Sequence, residues 1–456
     1  MAQHHLQFRP VAADRVRGAG LSRRLLLGGA SVLSTLALAG PAALAQLRVD
    51  ITRGVVQPIP IAVSPFAGDS PDAQALGAEI SGVVANNLQN SGLFDVIDRR
   101  AYIQTPEQLR GPPSFADWRQ INAQALVSGV VQAGAGGLLS VEFRLWDVFA
   151  GEQMRGLRFD APASQSRRIA HKIADVIYER LTGEPGYFDT RVTYIAETGG
   201  GTARTKRVAL MDQDGYGNRY LTNGSFLALT PRFSPDGQRI AYMGYRQGPP
   251  RIYVIEVESG REALLGDFPG MTFAPRFSPD GRSLLITLAQ NGNSDIYLWD
   301  IATRRAVRLT TDAAIDTSPS FSPDGSRIVF NSDRGGRPLL YVMDRSGGGQ
   351  QRISYGEGRY GSPAWSPRGD LIAFMVIKGG MFSIGVMRPD GSDERLLTRS
   401  SLDESPTWAP NGRVIMFSRQ SGGRRRLFTI DVSGYNERQV STPTDASDPD
   451  WSPTLP

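Results

Sequence analysis

Phe233-Ser234-Pro235-Asp236-Gly237 decides the fold because it returns. The same five residues recur from Phe277 to Gly281 and from Phe321 to Gly325. They then drift to Trp365-Ser366-Pro367-Arg368-Gly369 and Trp408-Ala409-Pro410-Asn411-Gly412, with Trp451-Ser452-Pro453 last. From one aromatic to the next the spacings are 44, 44, 44, 43 and 43 residues. A proline stands two residues before each aromatic: Pro231, Pro275, Pro319, Pro363, Pro406 and Pro449. A fixed period in this range marks a repeat architecture. The pentapeptide itself is a turn. Proline presets φ at the first central position, Asp or Asn suits the second, and glycine accepts the positive φ that follows.

After each turn comes an apolar strand, such as Arg239 to Met243 or Arg327 to Asn331. A second strand contains Ile252-Tyr253-Val254, Ile296-Tyr297-Leu298 or Leu340-Tyr341-Val342, and a short polar edge such as Arg308-Leu309-Thr310 follows. Four short strands per repeat make a propeller blade, and six markers make six blades. Arg191 to Ala196, Arg207 to Met211 and Arg219 to Thr222 fit the outer three strands of a blade that lacks its first. Residues 448–453 supply a first strand with no blade after it. The two fragments complete each other, so the ring closes with strands from distant parts of the chain. Closure also limits exposed sheet edges, the main aggregation hazard of all-β chains.

Working back toward the amino terminus, residues 46–186 read as a mixed α/β domain. Ile59, Ile61 and Val63 alternate in a strand that Pro58 and Pro60 confine to an edge or a strand start. Ser70-Pro71 is an N-cap and first-turn pair for a helix carrying Leu76, Ile80, Val83, Val84 and Leu88. Phe94 to Ile97 reads as a strand and Asp117 to Val127 as a second helix. Leu138 to Phe149 and Met154 to Phe159 form a hairpin around Gly151. A third helix spaces Ile169, Ile173, Ile177 and Leu181 four apart, capped by Ser164 and stopped by Gly183 and Pro185. Glu184-Pro185-Gly186 is the linker, and residues 187–456 are the propeller. The fold class expected is an α/β amino-terminal domain followed by an all-β six-bladed β-propeller.

Residues 1–20 carry little pattern. Ser22-Arg23-Arg24 then precedes an apolar run from Leu25 to Leu38 that ends at Ala43-Leu44-Ala45. A positive segment, an apolar core and an A-x-A end are the parts of a secretory signal, so residues 1–45 are expected to be removed before Gln46. The run is short and polar for a membrane anchor. Ser-Arg-Arg suits twin-arginine export, and the general route fits as well. The mature chain then opens with Gln46, Leu47, Arg48, Val49, Asp50, Ile51, Thr52 and Arg53, whose apolar residues alternate as in an extended strand. Such a segment, residues 46–54, can add to a sheet edge of its own protein or of a partner.

The chain of 456 residues carries a formal charge of +5, but residues 1–45 hold five arginines and one acid. The rest is nearly neutral, and no basic run with interleaved aromatics offers a nucleic-acid surface. There is no cysteine, which removes disulfides, thiol catalysis and thiolate metal sites. Past residue 45 the one histidine is His171, between Ile169 and Ile173, and it reads as a surface or half-buried helix residue. No G-x-S-x-G elbow and no phosphate-binding loop occurs. Asp236, Asp280 and Asp324 stand one per blade as turn residues, not as a paired acid and base. No catalytic residue, metal or cofactor is expected. Arginine outnumbers lysine 47 to 3, for which the sequence suggests no functional reason.

A partner surface is better sought in the loop leading into each first strand. Before the six prolines stand Thr230, Ala274, Ser318, Ser362, Ser405 and Asp448, and one step earlier Leu229, Phe273, Thr317, Gly361, Glu404 and Ser447. These rows vary where the turn does not, as a pseudo-sixfold mouth reading an asymmetric partner would.

The propeller repeats, with their Phe-Ser-Pro-Asp-Gly turns, resemble the TolB family of the bacterial Tol–Pal system. Gln46 to Gly54, Pro60-Ile61-Ala62-Val63-Ser64-Pro65-Phe66, Asn90-Ser91-Gly92-Leu93-Phe94 and Leu181-Thr182-Gly183 fit that family's first domain. The resemblance implies a non-catalytic, monomeric periplasmic adaptor that links the inner-membrane TolA complex to the outer-membrane lipoprotein Pal. It implies roles in outer-membrane integrity and constriction at cell division, and exploitation of the propeller by bacteriocins. Other Tol or outer-membrane proteins are further candidate partners; nucleic acid and a membrane span in the mature chain are not expected. It puts Pal contacts at the mouth, on Leu229, Thr230, Met271, Ala274, Thr317 and Ser318 most directly, with Phe273, Gly361, Ser362, Glu404, Ser405 and Asp448 completing the set. It puts TolA on Gln46 to Arg53, which Pal binding would free or tuck away. The other class of reading is a propeller subunit of a periplasmic peptidase or glycan-processing enzyme.

Overall fold

A computed structural model describes residues 7–10, 47–48, 57–200, 204–246, 248–266, 268, 270–400 and 402–456. The chain divides into two compact units, the first ending at Glu184 and the second starting at Pro185. Apart from residues 7–10, the expected leader lies outside the described residues. So does most of the expected TolA-binding segment, of which Leu47 and Arg48 are described.

The first unit is built on a seven-stranded mixed sheet. Its strands are β1 (Gln7–Pro10), β2 (Ile59–Val63), β3 (Ala67–Gly68), β4 (Phe94–Val96), β5 (Ala125–Ala133), β6 (Leu138–Asp147) and β7 (Glu152–Pro162). They run in the order β1-β7-β6-β5-β2-β4, with β3 alongside β5. β5, β6 and β7 form an antiparallel meander, and β2 lies parallel to both of its neighbours. Three helices complete the unit: α1 (Pro71–Asn90), α2 (Phe115–Gln120) and α3 (Ser166–Thr182).

α1 starts where Ser70-Pro71 requires. The Ser70 hydroxyl accepts the Ala73 N–H at 3.2 Å, and Pro71 occupies a first-turn position whose N–H would have no helical partner. Its stripe of Ile80, Val83, Val84 and Leu88 is buried, and Gly77 lets the helix sit on Phe66, whose carbonyl a Cβ would meet at 2.3 Å. Ala62 and Leu126 join Trp118, Trp146 and Leu109 in a separate cluster. By alternation Ile61 and Val63 then point to the other face.

Three local expectations are corrected, and a fourth, for β2, is narrowed to the strand-start alternative. β2 is not an edge strand but lies between β4 and β5, buried along most of its length; Pro60 is tolerated near its start, where its carbonyl accepts the Gln124 N–H at 2.9 Å. The second helix stops at Gln120, because Asn122 takes a left-handed φ of 59° and Ala125 to Val127 pair with β2. Ser164 does not cap α3: it lies in a short 3-10 turn, and the helix begins at Ser166 with no side-chain cap. His171 is not at the surface but is 3% exposed, with Nδ1 2.8 Å from the Asn87 amide nitrogen on α1. Gly183 does stop α3, with φ 77°.

The second unit is a six-bladed propeller of four-stranded antiparallel sheets. The first strands of five blades are Leu227–Phe233, Met271–Phe277, Asp316–Phe321, Arg359–Trp365 and Asp403–Trp408. The sixth blade takes Asp445–Trp451 as its first strand, paired antiparallel with Arg191–Thr198. Ser447 Oγ donates to buried Glu197 Oε1 at 2.6 Å, and Trp451 Nε1 donates to Thr190 Oγ1 at 2.8 Å, so the closing strand is held by more than its ladder.

The turns behave as their residues dictate. Gly237, Gly281, Gly325, Gly369 and Gly412 have φ from 65° to 78°. In the three uniform copies the serine hydroxyl accepts the N–H five residues on at 2.9 Å and donates to the turn aspartate. Where Asn411 replaces the aspartate, its side-chain oxygen still accepts the Arg413 N–H at 3.0 Å.

The arginine excess has a structural use in the blades. Arg334 grips Asp316 through both carboxylate oxygens, at 3.1 and 2.9 Å, while its guanidinium lies over Phe330 and Tyr341. Arg419 repeats this with Asp403, Phe417 and Phe428. Only the planar guanidinium can stack and bind a carboxylate in a fork at once. Both aspartates are fully buried at the starts of first strands, so the clamps fix the end of the strand opposite the turn.

Candidate functional site: the mouth of the propeller

The first strands of all six blades share one local anomaly. Their ladders shift register at Leu229/Arg232, Phe273/Arg276, Thr317/Ser320, Gly361/Ala364, Glu404/Thr407 and Ser447/Asp450. Each shift is a bulge centred on the residue before the proline. Thr230, Ala274, Ser318, Ser362, Ser405 and Asp448 have φ of 48°, 53°, 53°, 47°, 56° and 50°. A left-handed conformation costs a residue with a Cβ roughly 1–2 kcal/mol. Local rules push a pre-proline residue to extended backbone instead. Six such residues persist because the blades around them over-determine the geometry.

The expected mouth residues are thus placed with one correction. They do not sit in loops leading into the first strands but inside those strands, on the bulge. Thr230, Ala274, Ser318, Ser362, Ser405 and Asp448 are half-buried, as are Leu229, Phe273, Thr317, Gly361 and Glu404; Met271, at a strand start, is 47% exposed. Ser447 departs from its row: it is buried against Glu197. Adjacent blades touch across the mouth, with Ser405 Oγ donating to Asp448 at 3.0 Å. Glu404 is held by Arg425 at 3.5 Å. The Thr230 hydroxyl oxygen is buried with no hydrogen-bond partner among the described residues, and a buried polar atom left unpaired is costly.

One row went unread in the sequence: the residue between each proline and its aromatic. These are Arg232, Arg276, Ser320, Ala364, Thr407 and Asp450, and together with the first five aromatics, Phe233 to Trp408, they line a cavity of about 230 Å³ in the channel. Their variation was visible at a fixed offset from the turn.

In the first unit, Arg48 Nε lies 3.4 Å from the carbonyl of Thr182, the last residue of α3. A cation there faces the negative end of the helix dipole. A pocket of about 450 Å³ surrounds it, lined by Met154, Arg155, Val176, Glu179, Arg180 and Gly183. No helix among the described residues is long and apolar enough to cross a membrane.

Residues 178–455 match the family described as the TolB beta propeller domain, and residues 47–154 match the TolB amino-terminal domain. The chain is 52% identical over 264 residues to the Tol-Pal system protein TolB of Paramagnetospirillum magneticum, covering 58% of this chain and 57% of that protein. It is 52% identical over 241 residues to the protein of the same name from Pelagibacter ubique, covering 51% of this chain and 54% of that one. It therefore spans a little over half the length of these curated relatives. Among solved structures, the crystal structure of TolB from Acinetobacter baumannii aligns with a TM-score of 0.78 at 29% identity, covering 90% of this chain and 100% of that chain.

Proposed function

Because the chain belongs to the TolB family of Tol-Pal system proteins, we propose that it is a periplasmic, non-catalytic adaptor joining TolA to Pal. In this reading residues 1–45 are an export signal, and residues 46–54 are a strand-like arm on the α/β domain of residues 46–186. The propeller, residues 187–456, binds Pal at its mouth. The bridge between the two membranes supports outer-membrane integrity and constriction at division, and some bacteriocins exploit the propeller site.

The observation that carries the reading is the ring of left-handed residues. Thr230, Ala274, Ser318, Ser362, Ser405 and Asp448 share a strained backbone yet carry four different side-chain types, and Thr230 holds a buried hydroxyl that a partner could satisfy. A uniform strained backbone carrying non-uniform side chains suits recognition of an asymmetric partner better than packing. Strain of this kind collects at binding sites.

Leu47 and Arg48 support the second half of the reading. The contact of Arg48 with the end of α3 supports a docked state of the arm in this reading, and a switch between docked and partner-bound arms needs a gap of only a few kcal/mol.

The test uses the mature chain with purified Pal and the TolA carboxy-terminal domain. T317R and A274E should weaken Pal binding at least tenfold with the thermal midpoint unchanged, and deletion of residues 46–53 should abolish TolA capture while Pal binding stays intact. Unaltered Pal affinity in both substitutions would move the site off the mouth. TolA capture that survived the deletion would remove the arm from the mechanism.

A further inference from the structure

The row between proline and aromatic does two jobs in the channel, and the residues divide between them. Three of its side chains accept the aromatic's backbone N–H from the next blade: Ser320 from Trp365 at 3.2 Å, Thr407 from Trp451 at 3.4 Å, and Asp450 from Phe233 at 2.8 Å. Arg232 and Arg276 have no acceptor atom to offer, so they cannot latch the next blade in this way. They enter the cavity instead. Arg276 Nη1 donates to Asp450 Oδ1 at 3.1 Å. Arg232 Nε stands 3.9 Å from the same oxygen, while its Nη1 donates to the Pro231 carbonyl at 2.7 Å and lies 3.5 Å from that of Pro449.

Charge in this ring does not balance. One carboxylate faces two guanidinium groups, and it is already shared with the Phe233 N–H and, at 3.3 Å, the Thr407 hydroxyl. The side chains of Arg232, Arg276 and Asp450 are 11%, 21% and 10% exposed, so bulk water does little to screen them. Burial, together with the neighbouring Arg232, pushes the Arg276 guanidinium down to about 9. An under-compensated, partly desolvated cation lowers its energy by gaining a counter-charge. Phe277, Phe321, Trp365 and Trp408 wall the same cavity, which keeps its dielectric low and each added charge strongly felt.

We propose that the propeller channel is a site for one small monovalent anion, of the carboxylate or halide class, held by Arg276 and Arg232 beside Asp450. The cavity volume of about 230 Å³ accommodates a halide or a carboxylate group with its water. The occupant can be a free anion or a carboxylate side chain inserted by a partner; both present the same chemistry to the two guanidinium groups. The site stands on the ring's charge and geometry, and needs no partner at the mouth.

The experiment is crystallisation of the mature chain with sodium bromide, whose anomalous scattering places the ion directly. A bromide peak between the two guanidinium groups is expected. R276Q should lose it, with bromide binding weakened about tenfold, as for loss of one charge-assisted hydrogen bond. D450N keeps an oxygen for the Phe233 N–H but removes the opposing charge, so it should bind bromide several-fold more tightly. Displacement of bromide by acetate identifies free carboxylates as occupants, and displacement only by added Pal identifies a partner side chain. An empty channel at saturating bromide, a peak unchanged in R276Q, or weaker bromide binding in D450N overturns the proposal. The three overturning outcomes are read on the chain alone, without Pal, so they are separate from any failure of the adaptor reading.

Discussion

At one end of the propeller's first strands, Ser234, Ser278 and Ser322 accept the N–H five residues on, donate to the turn aspartate, and leave the left-handed position to glycine. At the other end, Thr230, Ala274 and Ser318 take the left-handed position themselves, immediately before a proline, where a Cβ is disfavoured. The first end satisfies every local preference and repeats its letters. The second violates them and lets its letters vary. Repetition in this chain therefore marks where the fold is made, and in the proposed reading variation on a fixed backbone marks where a partner is read.

The strongest way to break that contrast is at the aromatic that separates the two ends. Trp408 is 6% exposed and its Nε1 donates to the Ala364 carbonyl of the preceding blade at 2.9 Å. W408A should lower stability by about 3–5 kcal/mol, read from the urea midpoint, while the fraction that remains folded binds Pal with unchanged affinity. Next in size is the turn glycine. Gly325 has φ 70°, so G325A should cost roughly 1–2 kcal/mol and leave Pal titrations untouched. If G325A altered Pal affinity as strongly as T317R, the turn end would belong to the binding surface.

The mouth should respond with the opposite sign. Ser318 has φ 53°. In S318G the relief of strain, roughly 1–2 kcal/mol, exceeds the entropic cost of glycine, roughly 0.5–1 kcal/mol. The variant should therefore unfold at slightly higher urea yet bind Pal more weakly. Lower stability would show that the bulge carries no strain. The smallest effect is electrostatic. The hydroxyls of Ser322 and Ser326 and the Ser326 N–H hold the Asp324 carboxyl down to about 2. A depressed acid stabilises the fold above its unfolded value, near 4, and loses that contribution as pH falls toward its folded value. Wild type should outlast D324N in urea at pH 5–7, with a gap that shrinks as pH falls through 4 toward 2; a gap undiminished at pH 2 would have a cause other than ionisation.

How much of this was legible follows from where each decision is made. Turn and blade count depend on residues within a few positions of one another, and the closing strand showed as the piece missing from the first blade, so the period exposed all three. The position of β2 was only half legible: Pro58 and Pro60 allow an edge or a strand start, and the parallel neighbours that decide between them, β4 and β5, pair with it from 35 and 64 residues later. The strand at Ala125 to Val127 reads as helix in the sequence for the same reason: a short apolar run fits either period until a partner chooses. The mouth residues could be named but not their backbone, since local rules predict the opposite φ. The arginine pair at 232 and 276 stood in plain sight at a fixed offset, and only the shared carboxylate of Asp450, more than 170 residues away, gives it meaning.

That same carboxylate belongs to the strand that closes the ring, and the distance has a kinetic side. Ser447 and Trp451 bond to groups 250 and 261 residues earlier in the chain. While the polypeptide is being made, the blade begun at Arg191 must wait with its inner edge bare until residues 445–451 emerge. Such long-range pairing is slow, and the unfinished edge is open to misassembly. The channel cannot exist in any shorter intermediate, because Asp450 completes the ring of Arg232 and Arg276. Assembly of the site and completion of the fold are therefore one event, and a nascent chain offers a partner no half-built version to capture.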